Sequence, residues 1–166
     1  PWIMLGGSYP GARAAFTRDK YPETIYAAYA SSAPVHAQVN ISAYYDQVYR
    51  GMIAHGYGNC VKDIQAALKY IDHQLAHNKT AAAIKQLFFG EGAETNSNGA
   101  FTAALAGIYG FFQSYGTGGG EGSINDFCGY LETDPANNQT APNGLATTYG
   151  NKFVAQRWAA WPIFTE

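Results

Sequence analysis

Trp2-Ile3-Met4-Leu5-Gly6-Gly7-Ser8-Tyr9-Pro10-Gly11 joins a short apolar run to two glycines, a serine, and a proline and glycine that open an alanine-rich segment. A stretch of this kind is expected to fold as strand, sharp turn and helix. That is the layout of a nucleophile elbow, in which a serine at the tip of a strained turn projects its hydroxyl from the C-terminal edge of a sheet. Glycines flank such a serine because the incoming strand and outgoing helix pass too closely for side chains. The helix N-terminus behind the serine favours developing negative charge.

The pattern G-x-S-x-G is met only in part. Gly6, Gly7, Ser8 and Tyr9 fit, Pro10 stands where the last glycine is expected, and Gly11 follows one place late. Proline suits the first turn of a helix, where its missing N–H would have no partner, and it biases Tyr9 away from helical geometry. A plain Gly-Ser-Gly loop between a strand and a helix reads the same residues without chemistry.

Working outward, residues 2–6 are the expected elbow strand and residues 10–20 a short helix whose alanines permit close packing on a sheet. Thr24 to Ala33 reads as a second buried strand stopped by Pro34. Strand, helix and strand of these lengths predict a right-handed βαβ unit with parallel strands. The character changes near residue 40. Ser42 can cap a helix bearing Tyr45, Val48, Tyr49 and Met52. Cys60 opens an amphipathic helix with Val61, Ile64, Leu68, Ile71 and Leu75 at alternating spacings of three and four.

Residues 81–89 form another expected helix, with Ile84, Leu87 and Phe88 apolar. A further helix carries Phe101, Leu105, Ile108 and Phe112 on one face. Gly116 to Gly122, Gly119 included, superficially resembles a phosphate loop. It follows a helix and has neither the Lys-Ser/Thr pair nor G-x-G-x-x-G spacing, so it reads as a connector. Ser123 and Asp126 are spaced as a capping box for the helix holding Cys128. Asp134 to Gly144 is read as a loop, and a last helix runs through Phe153, Val154 and Trp158 to Trp161. The expected organisation is therefore α/β: residues 1–39 belong to a sheet, and residues 40–166 form a helical segment of the kind inserted as a cap.

Composition narrows the function classes. At 166 residues the chain suits one ordinary domain, and 47% hydrophobic content argues for a packed core. A net charge of −2 with only 13% charged residues gives no sign of a nucleic-acid or membrane-surface partner. No apolar run approaches membrane-spanning length. Cys60 and Cys128 lie far apart with no C-x-x-C pattern, which argues against zinc. Sequons at Asn40, Asn78 and Asn138, each read in a polar turn, favour a secretory route, along which the two cysteines would be joined. The chain opens on a strand that cannot make a sheet alone, so it is expected to be an internal part of a longer secreted protein.

The elbow and its flanks together carry a resemblance. Gly6-Gly7-Ser8-Tyr9-Pro10-Gly11-Ala12, then Lys20-Tyr21-Pro22, then Tyr29-Ala30-Ser31-Ser32-Ala33-Pro34-Val35 resembles the proline-specific serine peptidases. That family includes prolylcarboxypeptidase, dipeptidyl peptidase II and the fungal prolyl endopeptidases, and the Ser31 to Val35 version is most similar to the fungal branch. The resemblance is strong over residues 1–36 and weaker beyond. It implies an α/β-hydrolase sheet interrupted by a helical cap, with a disulfide joining cap helices spaced much as Cys60 and Cys128 are. Trp158 to Glu166 resembles the family's W-x-W-x-x-C-x-E segment, but the tryptophans stand one place further apart and Phe164 replaces the cysteine.

By this resemblance Ser8 is the nucleophile that forms an acyl-enzyme, and the Tyr9 backbone N–H supplies one oxyanion donor. The triad order Ser, Asp, His puts the acid and base outside residues 1–166. The histidines present fail on position. His36 follows the second strand, His55 sits in a Gly-rich turn, and His73 and His77 share a helix face with no third ligand. Asp19, Asp46, Asp63 and Asp126 sit on helices, where capping or surface roles suffice. Trp158, Trp161 and Glu166 could wall a proline pocket and hold an amine, or could be helix core and a terminal carboxylate. The Tyr45–Met52 stripe is more often core than groove.

The expected function is hydrolysis of peptide bonds C-terminal to proline, with no cofactor and no metal. Proline-containing peptides would be the substrates, and the rest of the chain would complete the triad. The expected location is extracellular, or alternatively a lysosome or vacuole. A lipase or esterase of the same fold, and a hydrolase-like binding domain that has lost its triad, are the competing readings.

Overall fold

The computed structural model describes residues 1–118 and 120–162, the side chains of Phe111, Gln113 and Tyr115 excepted. Gly119, in the glycine-rich connector, and Glu166, with Phe164 before it, lie outside the described residues. The chain divides into two compact units, Pro1–Ile41 and Ser42–Glu166.

The first unit contains β1 (Trp2–Gly7), α1 (Tyr9–Lys20) and β2 (Ile25–Ser31). β1 and β2 pair in parallel, with Ile3 opposite Ala27 and Gly7 opposite Ser31. The expected βαβ unit is present. α1 packs on the strands through Gly11, Ala12 and Ala14, all buried. Small residues there let the helix axis approach the sheet. The period of two along β1 leaves Met4 and Gly6 half-buried. Trp2, Ile3 and Leu5 are exposed, Leu5 at 75%. Tyr26 and Tyr29 on β2 are exposed as well. The expectation of two buried strands is corrected, because α1 covers one face of a two-stranded sheet and these residues point elsewhere. β2 also ends two residues early, at Ser31, where Ser32 turns the chain with φ 47°.

The second unit is helical. It comprises α2 (Ser42–Ala54), α3 (Gly58–Leu75), α4 (Asn78–Phe89), a short 3₁₀ turn at Ala93–Thr95, α5 (Asn98–Leu105), α6 (Gly107–Tyr115) and α7 (Ile124–Glu132). A two-residue-deep ribbon, β3 (Thr133–Asp134) and β4 (Gln139–Thr140), and helices α8 (Ala146–Tyr149) and α9 (Asn151–Ala159) complete it. The apolar periodicity of α3 buries Val61, Ile64 and Ile71, and α3 packs along α9.

Three expectations are refined here. The segment bearing Phe101, Leu105, Ile108 and Phe112 buries all four, but as two helices broken at Ala106. Gly107 follows the break, and glycine holds a helix poorly. The loop from Asp134 to Gly144 contains the antiparallel ribbon, turned at Asn138 with φ 57°. The last helix, Asn151–Ala159, stops two residues short of Trp161. On α4, Ile84 and Phe88 are buried while Leu87 stays exposed.

Aromatic rings dominate the centre of this unit. Trp158 is fully buried and meets Phe127 edge-on at 5.5 Å, Phe88 at 6.0 Å and Tyr109 at 6.4 Å. Phe127 also meets Trp161 at 4.9 Å. Edge-to-face pairs at these separations add to the stabilisation from buried area alone. Both tryptophans therefore serve the core.

Cys60 and Cys128 form a disulfide between α3 and α7 with Cα atoms 5.4 Å apart. The Cys60 N–H donates to the Glu132 carboxylate, so the same two helices are tied twice. The capping box is present, since Ser123 Oγ accepts the Asp126 N–H at 3.1 Å. Its reciprocal bond falls one residue early, from the Gly122 N–H to Asp126 Oδ2 at 3.2 Å. Among the described residues no helix is long and apolar enough to cross a membrane.

Candidate active site

Ser8 stands between the last residue of β1 and the first of α1, with φ 56° and ψ −131°. For a residue with a β-carbon this backbone is sparsely populated and costs about 1–3 kcal/mol. The surrounding contacts hold it there. The Ser8 N–H donates to the Ser31 carbonyl at the end of β2, 2.9 Å away, and the Ser8 carbonyl accepts the Ala12 N–H at 3.2 Å. The residue is thus pinned on one side by the neighbouring strand and on the other by the first turn of α1.

A serine at this position normally turns its hydroxyl back to cap the helix. Ser8 makes no side-chain capping bond. Its positive φ directs the turn differently from an extended cap residue, and the side chain is exposed to solvent. Tyr9 is the first residue of α1, and its N–H has no hydrogen-bond partner among the described residues. Exposed hydroxyl and unclaimed helix N–H groups therefore lie on adjacent residues. An oxygen that gains negative charge beside them meets both an N–H donor and the positive end of a twelve-residue helix.

The glycines explain how the turn closes. A β-carbon on Gly6 would come within 2.5 Å of the Gly11 nitrogen and overlap the Pro10 carbonyl. One on Gly11 would lie 2.8 Å from the Gly6 carbonyl oxygen, 3.1 Å from Ala33 Cβ and 3.2 Å from the Ser31 carbonyl oxygen. A β-carbon on Gly7 would meet nothing within 4 Å. Strand and helix thus cross at Gly6 and Gly11, and the glycine one place late in the motif is the one that the close approach requires. Pro10 is accommodated in the first turn of α1. Three participants escaped the sequence reading: the Ser31 carbonyl, the turn at Ser32 and the small side chain of Ala33. Their signal was the run of small residues before Pro34, read there only as strand.

The other predicted residues fall as follows. His36 is exposed in the segment after β2. His55 packs edge-on to Phe112, with centroids 6.5 Å apart. His73 and His77 are exposed, and the His73 ring meets the Gln74 amide. Ser8 has no histidine partner among the described residues. No group of three His, Cys, Asp or Glu side chains is placed to hold a metal ion among them either. Asp19, Asp46 and Asp126 are exposed.

Asp63 has the capping role, but for a distant helix and not its own. It is fully buried, and its two carboxylate oxygens accept the N–H groups of Leu145 at 2.7 Å and Ala146 at 2.8 Å. Burial pushes its pKa up, against the opposing pull of those two N–H donors. Asp63 therefore caps α8 from α3, a long-range contact that its own helix does not announce. The sequon asparagines Asn40, Asn78 and Asn138 are all exposed, with Asn78 the first residue of α4 instead of a turn residue.

Comparison with known proteins places this geometry in a family. The model of serine carboxypeptidase S28 matches residues 1–154, and the chain belongs to that family. The thymus-specific serine protease of Homo sapiens is 33% identical over 138 residues, covering 79% of this chain and 27% of that protein. Its Mus musculus counterpart is 32% identical over the same length. A putative serine protease of Caenorhabditis elegans is 53% identical over 47 residues, covering 28% of this chain and 9% of the relative. The chain thus spans about a quarter of the length of the mammalian relatives, 27%. No solved structure matches it.

Proposed function

We propose that this member of the S28 family carries the nucleophile of a serine peptidase that cleaves on the C-terminal side of proline. Residues 1–39 would be part of an α/β-hydrolase domain and residues 40–166 its helical cap. The observation that carries the reading is the backbone of Ser8, held at φ 56° with its hydroxyl unused as a helix cap. Strain of that kind persists only where the surroundings over-determine it, and such positions concentrate at reacting groups.

In the proposed reaction Ser8 Oγ attacks the carbonyl carbon that follows a prolyl residue. Its proton passes to a histidine supplied by another part of the full-length protein, which an aspartate orients. The Tyr9 N–H donates to the oxyanion, and a second donor comes from elsewhere in the chain. Collapse of the tetrahedral intermediate releases the amine and leaves an acyl-Ser8 ester, which water then hydrolyses. No cofactor is required. Preference for proline rests on the resemblance of the Lys20-Tyr21-Pro22 and Ala30 to Pro34 flanks to the proline-specific peptidases, of which the fungal branch is the most similar. The three exposed sequons and the buried disulfide support a route through the secretory pathway to the exterior, or to a lysosome or vacuole.

The test is a cleavage map of an unbiased peptide mixture by the full-length protein, beside a Ser8→Ala variant. Cuts after proline that vanish in the variant are expected, and their positions separate endo- from exo-action. Ser8-dependent cuts with no preference for proline would remove the specificity and keep the peptidase. Absence of Ser8-dependent cleavage would overturn both, and an ester panel would then separate an esterase from a binding domain.

A further inference from the structure

Two other serines in this chain stand directly before a helix, as Ser8 does. Ser97 precedes α5 with φ −64°, Ser123 precedes α7 with φ −72°, and each hydroxyl oxygen accepts the N–H three residues on. That is the ordinary cap, which engages the oxygen with its own helix. Ser8, at φ 56°, makes no such bond. A contact from outside α1 must therefore hold it in the uncapped conformation.

That contact comes from β2. The strands pair as far as Gly7 opposite Ser31, and the Ser8 N–H donates to the Ser31 carbonyl at 2.9 Å, one step further along the ladder. The carbonyl belongs to the planar peptide unit joining Ser31 to Ser32, so its direction is set by the Ser31 ψ and the Ser32 φ. Ser32 has φ 47°. Positive φ is uncommon for a residue with a β-carbon, yet here it occurs on both residues that follow the last paired positions of two adjacent strands. The Ser32 turn also carries Ala33 back towards the start of α1, where a β-carbon on Gly11 would lie 3.1 Å from Ala33 Cβ. The Ser32 side chain is exposed, so the turn and not side-chain packing is what this residue contributes.

We propose that Ser32 is a positioning residue for the nucleophile. Its left-handed turn aims the Ser31 carbonyl at the Ser8 N–H, which keeps Ser8 out of the capped conformation and leaves its hydroxyl free to attack. This rests on the reading of Ser8 as nucleophile. The role belongs to the backbone of Ser32 and not to its hydroxyl. Residues that accept positive φ should therefore replace it, and a β-branched residue, for which that region is an outlier, should not.

The test uses the full-length protein and two measurements. One is the rate at which diisopropyl fluorophosphate labels Ser8, located by peptide mass spectrometry; the other is kcat and KM on one peptide substrate. Labelling forms an Oγ–P bond as fluoride leaves, and it reports the reactivity of the hydroxyl whatever the peptide specificity. Its end-point counts folded molecules, so loss of fold lowers the amount labelled and not the rate. Ser32→Gly, Ser32→Asn and Ser32→Ala are expected to keep the parent's rates. Ser32→Val is expected to lower the labelling rate and kcat together, by roughly tenfold, with KM nearly unchanged. Ser32→Thr makes the same comparison where the valine protein does not fold. A β-branched variant that labels as fast as the parent would overturn the proposal and keep the nucleophile. Slow labelling of Ser32→Ala beside a β-branched variant no slower would move the role to the hydroxyl and overturn it too. No labelling of Ser8 in the parent would remove the nucleophile reading itself, and the proposal with it.

Discussion

Gly6 and Gly11 meet backbone to backbone: a β-carbon on Gly11 would lie 2.8 Å from the Gly6 carbonyl oxygen. Everything at the elbow follows from that crossing. It fixes the angle at which α1 leaves β1, and with it the place where Ser8 must turn. Gly11→Ala should therefore move the helix, costing about 1–3 kcal/mol of stability and most of the peptidase activity. Gly7→Ala meets no atom within 4 Å and should be neutral or slightly stabilising, since glycine weakens a strand. Thermal unfolding and single-substrate kinetics on both variants check this, and equal sensitivity at the two positions would refute the crossing as the constraint.

Ser8 separates strain from chemistry. Ser8→Ala keeps the β-carbon at φ 56° and should leave stability nearly unchanged while abolishing hydrolysis. Ser8→Gly removes the steric conflict and should stabilise by about 1 kcal/mol, the relief exceeding the extra freedom glycine gains when unfolded. A glycine variant less stable than the alanine variant would show that Ser8 is not strained.

The disulfide joins residues 68 apart in sequence, both of them buried. On the chain-entropy account, closing a loop of that length contributes about 4 kcal/mol. Replacing both cysteines with serine should lower the unfolding midpoint of the helical unit strongly, with the loss of burial adding to it. Chemical denaturation of the two proteins measures the difference. A change below about 1 kcal/mol would contradict the model of a restrained unfolded state.

Stability should favour mildly acid conditions. Asp63 and Glu132 both have raised pKa values, chiefly because burial penalises the charged carboxylates. Glu132 is raised further by Asp63, while Lys62 and the backbone N–H donors pull the other way. A raised carboxyl binds its proton more tightly folded than unfolded. Its contribution is full below the ordinary values of 3.8 and 4.5, and is lost as pH rises through the elevated folded values. The unfolding temperature should thus fall as pH rises above those ordinary values, to the extent that these two groups govern it. Glu132→Gln, which keeps an oxygen for the Cys60 N–H, should flatten the slope. A variant slope as steep as the parent's would exclude Glu132 as a source.

The proposed secretory route has its own readout. Asn40, Asn78 and Asn138 are exposed, so glycosidase treatment of the protein recovered from its native source should lower its mass in steps of one glycan. Absence of any shift would count against the secretory route.

Much of this chain was decided locally and could be read from its sequence. The run Trp2–Gly11 specified strand, turn and helix because each choice there is a near-neighbour matter: apolar residues, then glycines, then a proline suited to a first helical turn. The periodicity of α3 and the cap at Ser123 were legible for the same reason, since side chains three and four residues apart meet within one helix. What the tertiary structure decided depends on distant partners. Gly11, not Gly7, is sterically required because its neighbours are Gly6, Ser31 and Ala33. Asp63 is a buried cap because Leu145 and Ala146 arrive from 82 and 83 residues away. Tyr109 and Trp158 meet edge-on because separate helices bring their rings together. Local sequence encodes which conformations a segment prefers, whereas burial, close approach and unmet hydrogen bonds exist only once segments remote in the chain are packed.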